Sequence, residues 1–129
     1  MQIRVFAAMT VAAAVFAAPA LADGDAAKGE KVFRKCKACH VVDEEQNKVG
    51  PHLVGIIDRP VATVDGFKYS EAMIEFGADG KVWDVETLTT YLKDPKGVVK
   101  GTKMAFPGLK KDDDIEDVIA YLQDPSAAE

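Results

Sequence analysis

Two cysteines and a histidine form the most chemically specific pattern in the chain. They stand in Cys36-Lys37-Ala38-Cys39-His40, which has the spacing C-x-x-C-H, the attachment signature of a c-type haem. Thiols three positions apart lie on one side of a helical turn, so each can form a thioether with one vinyl group of the porphyrin. The histidine that follows is then beside the ring. The pattern predicts covalent haem attachment through Cys36 and Cys39 and axial iron ligation by His40.

Other uses of a C-x-x-C pair fit this sequence less well. A structural zinc site needs four nitrogen or sulfur ligands, whereas the chain has no further cysteine and one further histidine, His52. A thioredoxin-like dithiol lies at a strand end within a βαβ pattern, but the flanks here have a helical pattern. A structural disulfide would leave His40 without a role. A dithiol or metal module without haem therefore stays the weaker interpretation.

The second axial position has few candidate ligands, namely Met73, Met104, His52 and the lysines. Met73 lies on the apolar face of a short predicted helix, where core packing explains it. His52 follows His40 so closely that reaching the opposite face of the ring is awkward. Met104 lies in the loop 100–108, which glycine and proline frame, so the backbone can aim its sulfur. Because His/Met ligation is an established haem arrangement, we predict Met104 as the second ligand.

The first 22 residues have the organisation of a secretory signal peptide. Arg4 gives a positive start, an alanine-rich apolar run follows, and Ala20-Leu21-Ala22 is an A-x-A cleavage site. The alternative, a transmembrane anchor, would need about 20 apolar residues. We predict cleavage after Ala22, export to the periplasm, and a single domain at residues 23–129.

The charge and size of the chain restrict its function further. A formal net charge of −5 argues against nucleic acid as a partner. No segment after the leader is apolar enough to span a membrane. A domain of this size can only marginally bury a core by itself, and a bound haem would supply a large apolar object to fold around.

Hydrophobic periodicity and capping residues predict an all-α fold. We expect three main helices, plus short helices and loops that wrap one covalently bound haem. Gly29 lies inside the first predicted helix, where a glycine usually allows another backbone to approach closely. The last four residues are expected to fray. The predicted helices cover 25–37, 70–76 with Ser70 as N-cap, 84 to a stop at Pro95, and 112–123.

Taken together, these motifs make the chain resemble a class I c-type cytochrome. The resemblance is closest to the bacterial cytochrome c2 group, which is related to mitochondrial cytochrome c, and it extends over essentially all of residues 23–129. The segments that carry it, besides the C-x-x-C-H pattern, are Gly29 and Phe33, Asn47-Lys48-Val49-Gly50-Pro51-His52-Leu53, Gly66-Phe67-Lys68-Tyr69, Trp83, Tyr91-Leu92-Lys93-Asp94-Pro95-Lys96, Gly101-Thr102-Lys103-Met104 and Ile119-Ala120-Tyr121-Leu122.

The resemblance implies roles for residues around the haem. The Pro51 carbonyl would fix the His40 imidazole. Tyr91 and Thr102 would surround Met104 and the haem. Three residues would hold the haem propionates, namely Arg59, Tyr69 and Trp83.

The resemblance also implies two contacts away from the iron. At two places the sequence departs from the family pattern. Gly29 and Phe33 would pack against Tyr121 where the first and last helices cross, and Phe106 would lie beside the exposed haem edge. The departures are Lys100, where mitochondrial relatives usually have proline, and a longer stretch between Phe67 and Trp83.

Filled axial positions leave no open site for a substrate, so the expected function is one-electron transfer and not catalysis. The resemblance implies a soluble monomer that carries electrons from a cytochrome bc1 complex to a photosynthetic reaction centre or a terminal oxidase. The main rival is a haem enzyme or gas sensor, which would need a vacant distal site. The sequence does not decide whether the electron acceptor is a reaction centre or a terminal oxidase.

Lysines cluster in sequence around both ligand segments, although the chain is acidic. If both segments meet at one haem edge, these lysines form a ring there, and the acids of residues 112–117 fall toward another face. Solubilising surface lysines are the alternative explanation. The resemblance favours the ring as a transient docking surface for membrane redox complexes, formed by Lys31, Lys35, Lys37, Lys48, Lys96, Lys103, Lys110 and Lys111, with Lys100 nearby.

Overall fold

A computed structural model describes residues 23–129 and, before them, Ala14 alone. The predicted all-α fold is confirmed, and within the described residues the only β-pairing is an isolated antiparallel bridge between Pro60 and Val82. A 3-10 helix at Pro125–Ala128 follows the last α-helix. The α-helices are α1 at Ala26–Phe33, α2 at Glu71–Phe76, α3 at Val85–Lys93, α4 at Pro95–Val98 and α5 at Asp112–Gln123.

The crossing of α1 and α5 closes the fold. A β-carbon at Gly29 would collide with the Asp117 carbonyl oxygen and would lie 2.8 Å from Cβ of Tyr121. The Phe33 and Tyr121 rings pack with their centroids 5.4 Å apart, as the resemblance implied. At the start of α1 the Asp25 amide donates to Oδ1 of Asp117 over 2.8 Å. The predicted close approach at Gly29 is therefore present, and it brings the two ends of the domain together.

Side-chain caps fix the starts of four of the five described α-helices, and in α4 the Asp94 carboxylate accepts from the Gly97 amide over 3.0 Å. Asp25 accepts hydrogen bonds from the amides of residues 27 and 28, and Ser70 accepts one from residue 73. Asp84 accepts one from the Thr87 amide over 2.7 Å. These groups satisfy amides that have no partner inside the helix. In α5, where Lys111 makes no such cap, three aspartates in the first turn lie at the positive end of the helix dipole.

The structure differs from two expectations about the helices. The first helix ends at Phe33 and not at Lys37, and hydrogen-bonded turns continue to Cys39. The predicted stop at Pro95 is confirmed, because α3 ends at Lys93, and Pro95 itself begins the short helix α4, since proline suits the first helical turn, where its missing N–H costs nothing. The tail expected to fray forms a 3-10 helix, in which the Asp124 carboxylate accepts from the Ser126 amide over 3.2 Å.

A short antiparallel pairing positions two of the predicted site residues. The Trp83 amide donates to the Arg59 carbonyl over 2.9 Å, and the Val61 amide donates to the Lys81 carbonyl over 2.9 Å. The longer stretch between Phe67 and Trp83 accommodates α2 before the chain returns to this pairing. Arg59 and Trp83 are thereby held side by side although they are far apart in sequence.

The leader lies outside the described residues apart from Ala14, so its predicted cleavage stays a prediction. In the part of the chain that is described, no helix has both the length and the apolar character needed to cross a bilayer.

Candidate cofactor site

A cavity of about 300 Å³ lies at the centre of the molecule. Its walls are mainly apolar, and they come from every α-helix except α4 and from the loops between them. All four residues predicted to hold the haem and its iron face this one space, namely Cys36, Cys39, His40 and Met104.

The two cysteines lie on a tight turn that continues from α1. The amides of Cys39 and His40 both donate to the Cys36 carbonyl, over 3.1 and 3.0 Å. Neither thiol is in a disulfide, and both are half-buried. Burial raises the pKa of the Cys36 thiol, and the positive charge of Lys35 partly opposes this shift. The turn thus presents two unpaired thiols to the cavity, as thioether formation requires.

The His40 ring has a defined tautomer and a fixed position. Its Nδ1 lies 2.7 Å from the Pro51 carbonyl oxygen. A carbonyl can only accept, so Nδ1 carries the proton and Nε2 keeps its lone pair. Burial lowers the pKa of His40, although the bond to Pro51 partly opposes this, and the neutral ring is favoured. Gly50 lies against the ring so closely that a β-carbon there would collide with it. His40 is therefore a neutral imidazole whose free nitrogen is available as a ligand.

Met104 has a polar partner in the cavity wall. The Tyr91 hydroxyl donates to Met104 Sδ over 3.7 Å, and the Met104 amide donates to Oγ1 of Thr102 over 3.3 Å. Burial raises the pKa of the Tyr91 hydroxyl, and a hydrogen bond with the Thr102 side chain partly opposes this. The three residues that the resemblance grouped are together, and Tyr91 and Thr102 position the sulfur.

Arg59 provides a positive charge inside a mainly apolar wall. Its Nη1 donates to the carbonyls of His52 and Val54 over 3.0 and 3.2 Å, while its buried Nε has no partner among the described residues. Burial lowers the pKa of this guanidinium. The Tyr69 hydroxyl accepts from the Val64 amide over 3.1 Å, which leaves its own proton free to donate. Donors that lack an acceptor fit a carboxylate-bearing ligand such as haem.

The remaining walls combine Trp83 and Phe106, which the resemblance assigned to the haem surroundings, with residues that sequence reasoning did not assign to the site. Trp83 is buried, and its ring centroid lies 4.8 Å from that of Tyr91. Phe106 lines the cavity, and so does Met73, which had been interpreted as a core residue. His52 does not line it, and its Nδ1 accepts from the Val54 amide over 3.3 Å. Leu88, Val118 and Leu122 also line the cavity, and apolar periodicity marked them only as apolar positions of predicted helices. Leu53, Ile56 and Leu109 line it from loops, where no pattern assigned them to the site.

The lysines predicted to surround the haem edge are all exposed. Lys35 and Lys103 reach the cavity itself, one from each ligand segment. Two others have fixed ammonium groups, since Lys48 donates to the Lys37 carbonyl over 3.2 Å and Lys110 to the Pro107 carbonyl over 3.0 Å. One exposed lysine from each ligand segment therefore lines the cavity.

Comparisons with known proteins agree with this geometry. The family model described as Cytochrome c matches residues 26–125. Cytochrome c-550 of Ancylobacter novellus is 50% identical over 98 residues, covering 75% of this chain and 92% of that protein. Cytochrome c2 of Rhodospirillum rubrum is 47% identical over 128 residues, covering 88% and 94%. The solved structure of cytochrome cH from Methylobacterium extorquens superimposes with a TM-score of 0.71 at 44% identity, covering 77% of this chain and 97% of that one.

The match spans most of the chain, and the cavity carries the thiols, imidazole and thioether that a haem c requires. The chain therefore belongs to the cytochrome c family of electron carriers, as a class I c-type cytochrome, and its cofactor is a covalently bound haem c with its iron.

Proposed function

We propose that this protein is a periplasmic one-electron carrier whose haem is attached through Cys36 and Cys39 and ligated by His40 and Met104. The observation that carries the proposal is that His40 and Met104 line one cavity and that hydrogen bonds hold both side chains in position. His40 has Nδ1 committed to Pro51, and Met104 has its sulfur held by Tyr91. The haem supplies the one-electron couple, and the chain supplies ligands, burial and exclusion of water.

The surroundings of the site favour a high reduction potential. Oxidation adds a positive charge, and a buried apolar cavity disfavours that charge. The thioether sulfur of Met104 is a soft, weak donor that favours the reduced state. The guanidinium of Arg59 adds a positive charge to the wall, which also disfavours oxidation.

A vacant distal position would instead support a haem enzyme or gas sensor. An electron carrier and a haem enzyme or sensor differ in whether the reduced, untreated protein binds carbon monoxide, because a filled sixth position excludes the gas. We expect a reversible one-electron couple and no carbon monoxide complex at neutral pH. Tight carbon monoxide binding would overturn the carrier assignment.

The proposed partners are membrane redox complexes, with a cytochrome bc1 complex as donor and a reaction centre or terminal oxidase as acceptor. The support is electrostatic. Lys35 and Lys103 are exposed and line the cavity, whereas the three aspartates that begin α5 do not line it. Such an asymmetric surface steers encounter with an acidic partner, and salt screens it over roughly 10 Å at 0.1 M.

Charge-reversal variants test this docking surface. We expect Lys35→Glu and Lys103→Glu to slow association with a cytochrome bc1 complex, and added salt to slow the wild-type protein. Lys28→Glu is the matched control on exposed α1 surface away from the cavity. Lys81 is a poorer control because its ammonium lies 4.4 Å from the Phe76 ring centroid. Equal effects of all three variants, or association that speeds up with salt, would show that net charge controls docking.

A further inference from the structure

The half-buried side chain of Asn47 joins two parts of the chain through both ends of its amide. Its Oδ1 accepts from the His52 amide over 3.1 Å, and its Nδ2 donates to the Asp65 carbonyl over 3.2 Å. These partners fix the orientation of the amide, because an N–H can only donate and a carbonyl can only accept.

The N–H that Asn47 binds belongs to the same peptide group as the carbonyl that holds His40. The Pro51 carbonyl accepts from His40 Nδ1 over 2.7 Å, and the next atom along that peptide is the His52 nitrogen. Hydrogen bonds in such a chain polarise one another. An acceptor on the N–H makes the carbonyl of that peptide a stronger acceptor, and the carbonyl then draws the His40 proton more strongly.

We propose that Asn47 is a positioning residue that sets the donor strength of the His40 imidazole through the Pro51–His52 peptide. The inference rests on the proposed ligation by His40. A histidine ligand whose other N–H is strongly hydrogen-bonded is a more basic ligand. Asn47 therefore stabilises the oxidised state and lowers the reduction potential.

The peptide has anchors that do not involve Asn47, so the electronic effect can be separated from a loss of structure. The Gly50 amide donates to the Cys39 carbonyl over 2.9 Å, and the Leu53 amide donates to the Val41 carbonyl over 2.8 Å. These bonds lie on either side of Pro51 and hold it against the turn that carries His40. Removing the Asn47 amide leaves them intact.

The first test variant of the haem-loaded protein is Asn47→Leu, which approximates the shape of the side chain and removes both its acceptor and its donor. We expect the reduction potential to rise. We also expect the His40 Nδ1–H proton resonance of the reduced protein to move upfield, because its bond to Pro51 weakens. A merely structural role predicts the opposite potential change, since a loosened loop admits water, which favours the oxidised haem.

The second variant, Asn47→Asp, keeps an acceptor on the His52 amide and gives it charge, so the same resonance should move downfield. The control is Gln46→Asp, which adds an equal charge at the exposed neighbouring position. It should leave the resonance in place.

A potential that falls or stays constant in Asn47→Leu, or a His40 resonance that does not move in opposite directions in the two Asn47 variants, would overturn the proposal. The wild-type spectrum is measured first. Absence of His/Met ligation there would refute the proposed function itself, whereas normal ligation with unresponsive variants refutes only the role of Asn47.

Discussion

The Tyr91 hydroxyl donates a hydrogen bond to the sulfur of Met104 over 3.7 Å. Both side chains face the cavity, and Thr102 hydrogen-bonds with the Tyr91 hydroxyl and accepts from the Met104 backbone amide. The bond withdraws electron density from the sulfur, which makes Met104 a weaker donor. If Met104 is the sixth ligand, as proposed, Tyr91 therefore acts on the stability of the oxidised state as well as on the position of the loop.

Replacing Tyr91 by phenylalanine should lower the reduction potential, because the released sulfur is a better donor to the oxidised iron. A hydrogen bond contributes about 1 kcal/mol, which corresponds to roughly 40 mV for one electron. Voltammetry of the purified protein measures the shift. Tyr121→Phe is the matched control, since Tyr121 is buried but does not line the cavity. An unchanged potential in Tyr91→Phe would show that the hydrogen bond does not weaken Met104 as a donor.

Gly29→Ala should destabilise the protein, although helix propensity alone predicts stabilisation by about 1 kcal/mol. The added methyl group would collide with the Asp117 carbonyl and with Tyr121 across the α1–α5 crossing. Overpacking of this kind costs typically 1–3 kcal/mol. Chemical denaturation measures the change, with Lys28→Ala as the exposed control in the same helix. A gain in the free energy of unfolding would show that the crossing adjusts without cost.

Acid should remove a stabilising contribution from the start of α3. The Thr87 amide donates to the Asp84 carboxylate, and this bond holds the pKa of Asp84 below its ordinary value of 3.8. As pH falls, Asp84 of the unfolded chain binds a proton before Asp84 of the folded chain does. The stabilisation by this carboxylate is therefore complete above pH 3.8 and is lost as pH falls through the lower pKa of the folded state.

The matched variant for this effect is Asp84→Asn, which keeps a good cap but cannot titrate. We expect the difference in the free energy of unfolding between the wild-type protein and the variant to shrink below about pH 4, as followed by denaturation at several pH values. A difference that stays constant from neutral pH to pH 2 would contradict the sign of the shift.

Sequence reasoning succeeded where local signals agree. In α5 the apolar period runs without interruption and the acids mark its first turn, so both ends were predicted. Ser70 and Asp84 marked two more starts, because a capping side chain acts on amides two or three residues away. The C-x-x-C-H pattern predicted the haem for the same reason, since it carries three functional groups within one turn.

Sequence reasoning failed where distant contacts decide the structure. The helical period continues to Lys37, but the chain leaves the α-helix after Phe33 to turn its cysteines toward the cavity. The pairing that places Arg59 beside Trp83 depends on backbone bonds between distant segments, which no local pattern indicates. The sequence marked Asn47 only as part of a segment shared with the family, because its role depends on its hydrogen bond with the His52 amide, which no sequence pattern indicates.

The central claim is that Met104, and not another soft ligand, completes the coordination set. Met73 lines the same cavity and is the natural control, so the decisive measurement compares the oxidised visible spectra of Met104→Ala and Met73→Ala. We expect haem to stay attached in both variants. The weak sulfur-to-iron band should vanish, the potential should fall and carbon monoxide should bind only in Met104→Ala. A band that persists in Met104→Ala, or one that is lost in Met73→Ala instead, would contradict the account.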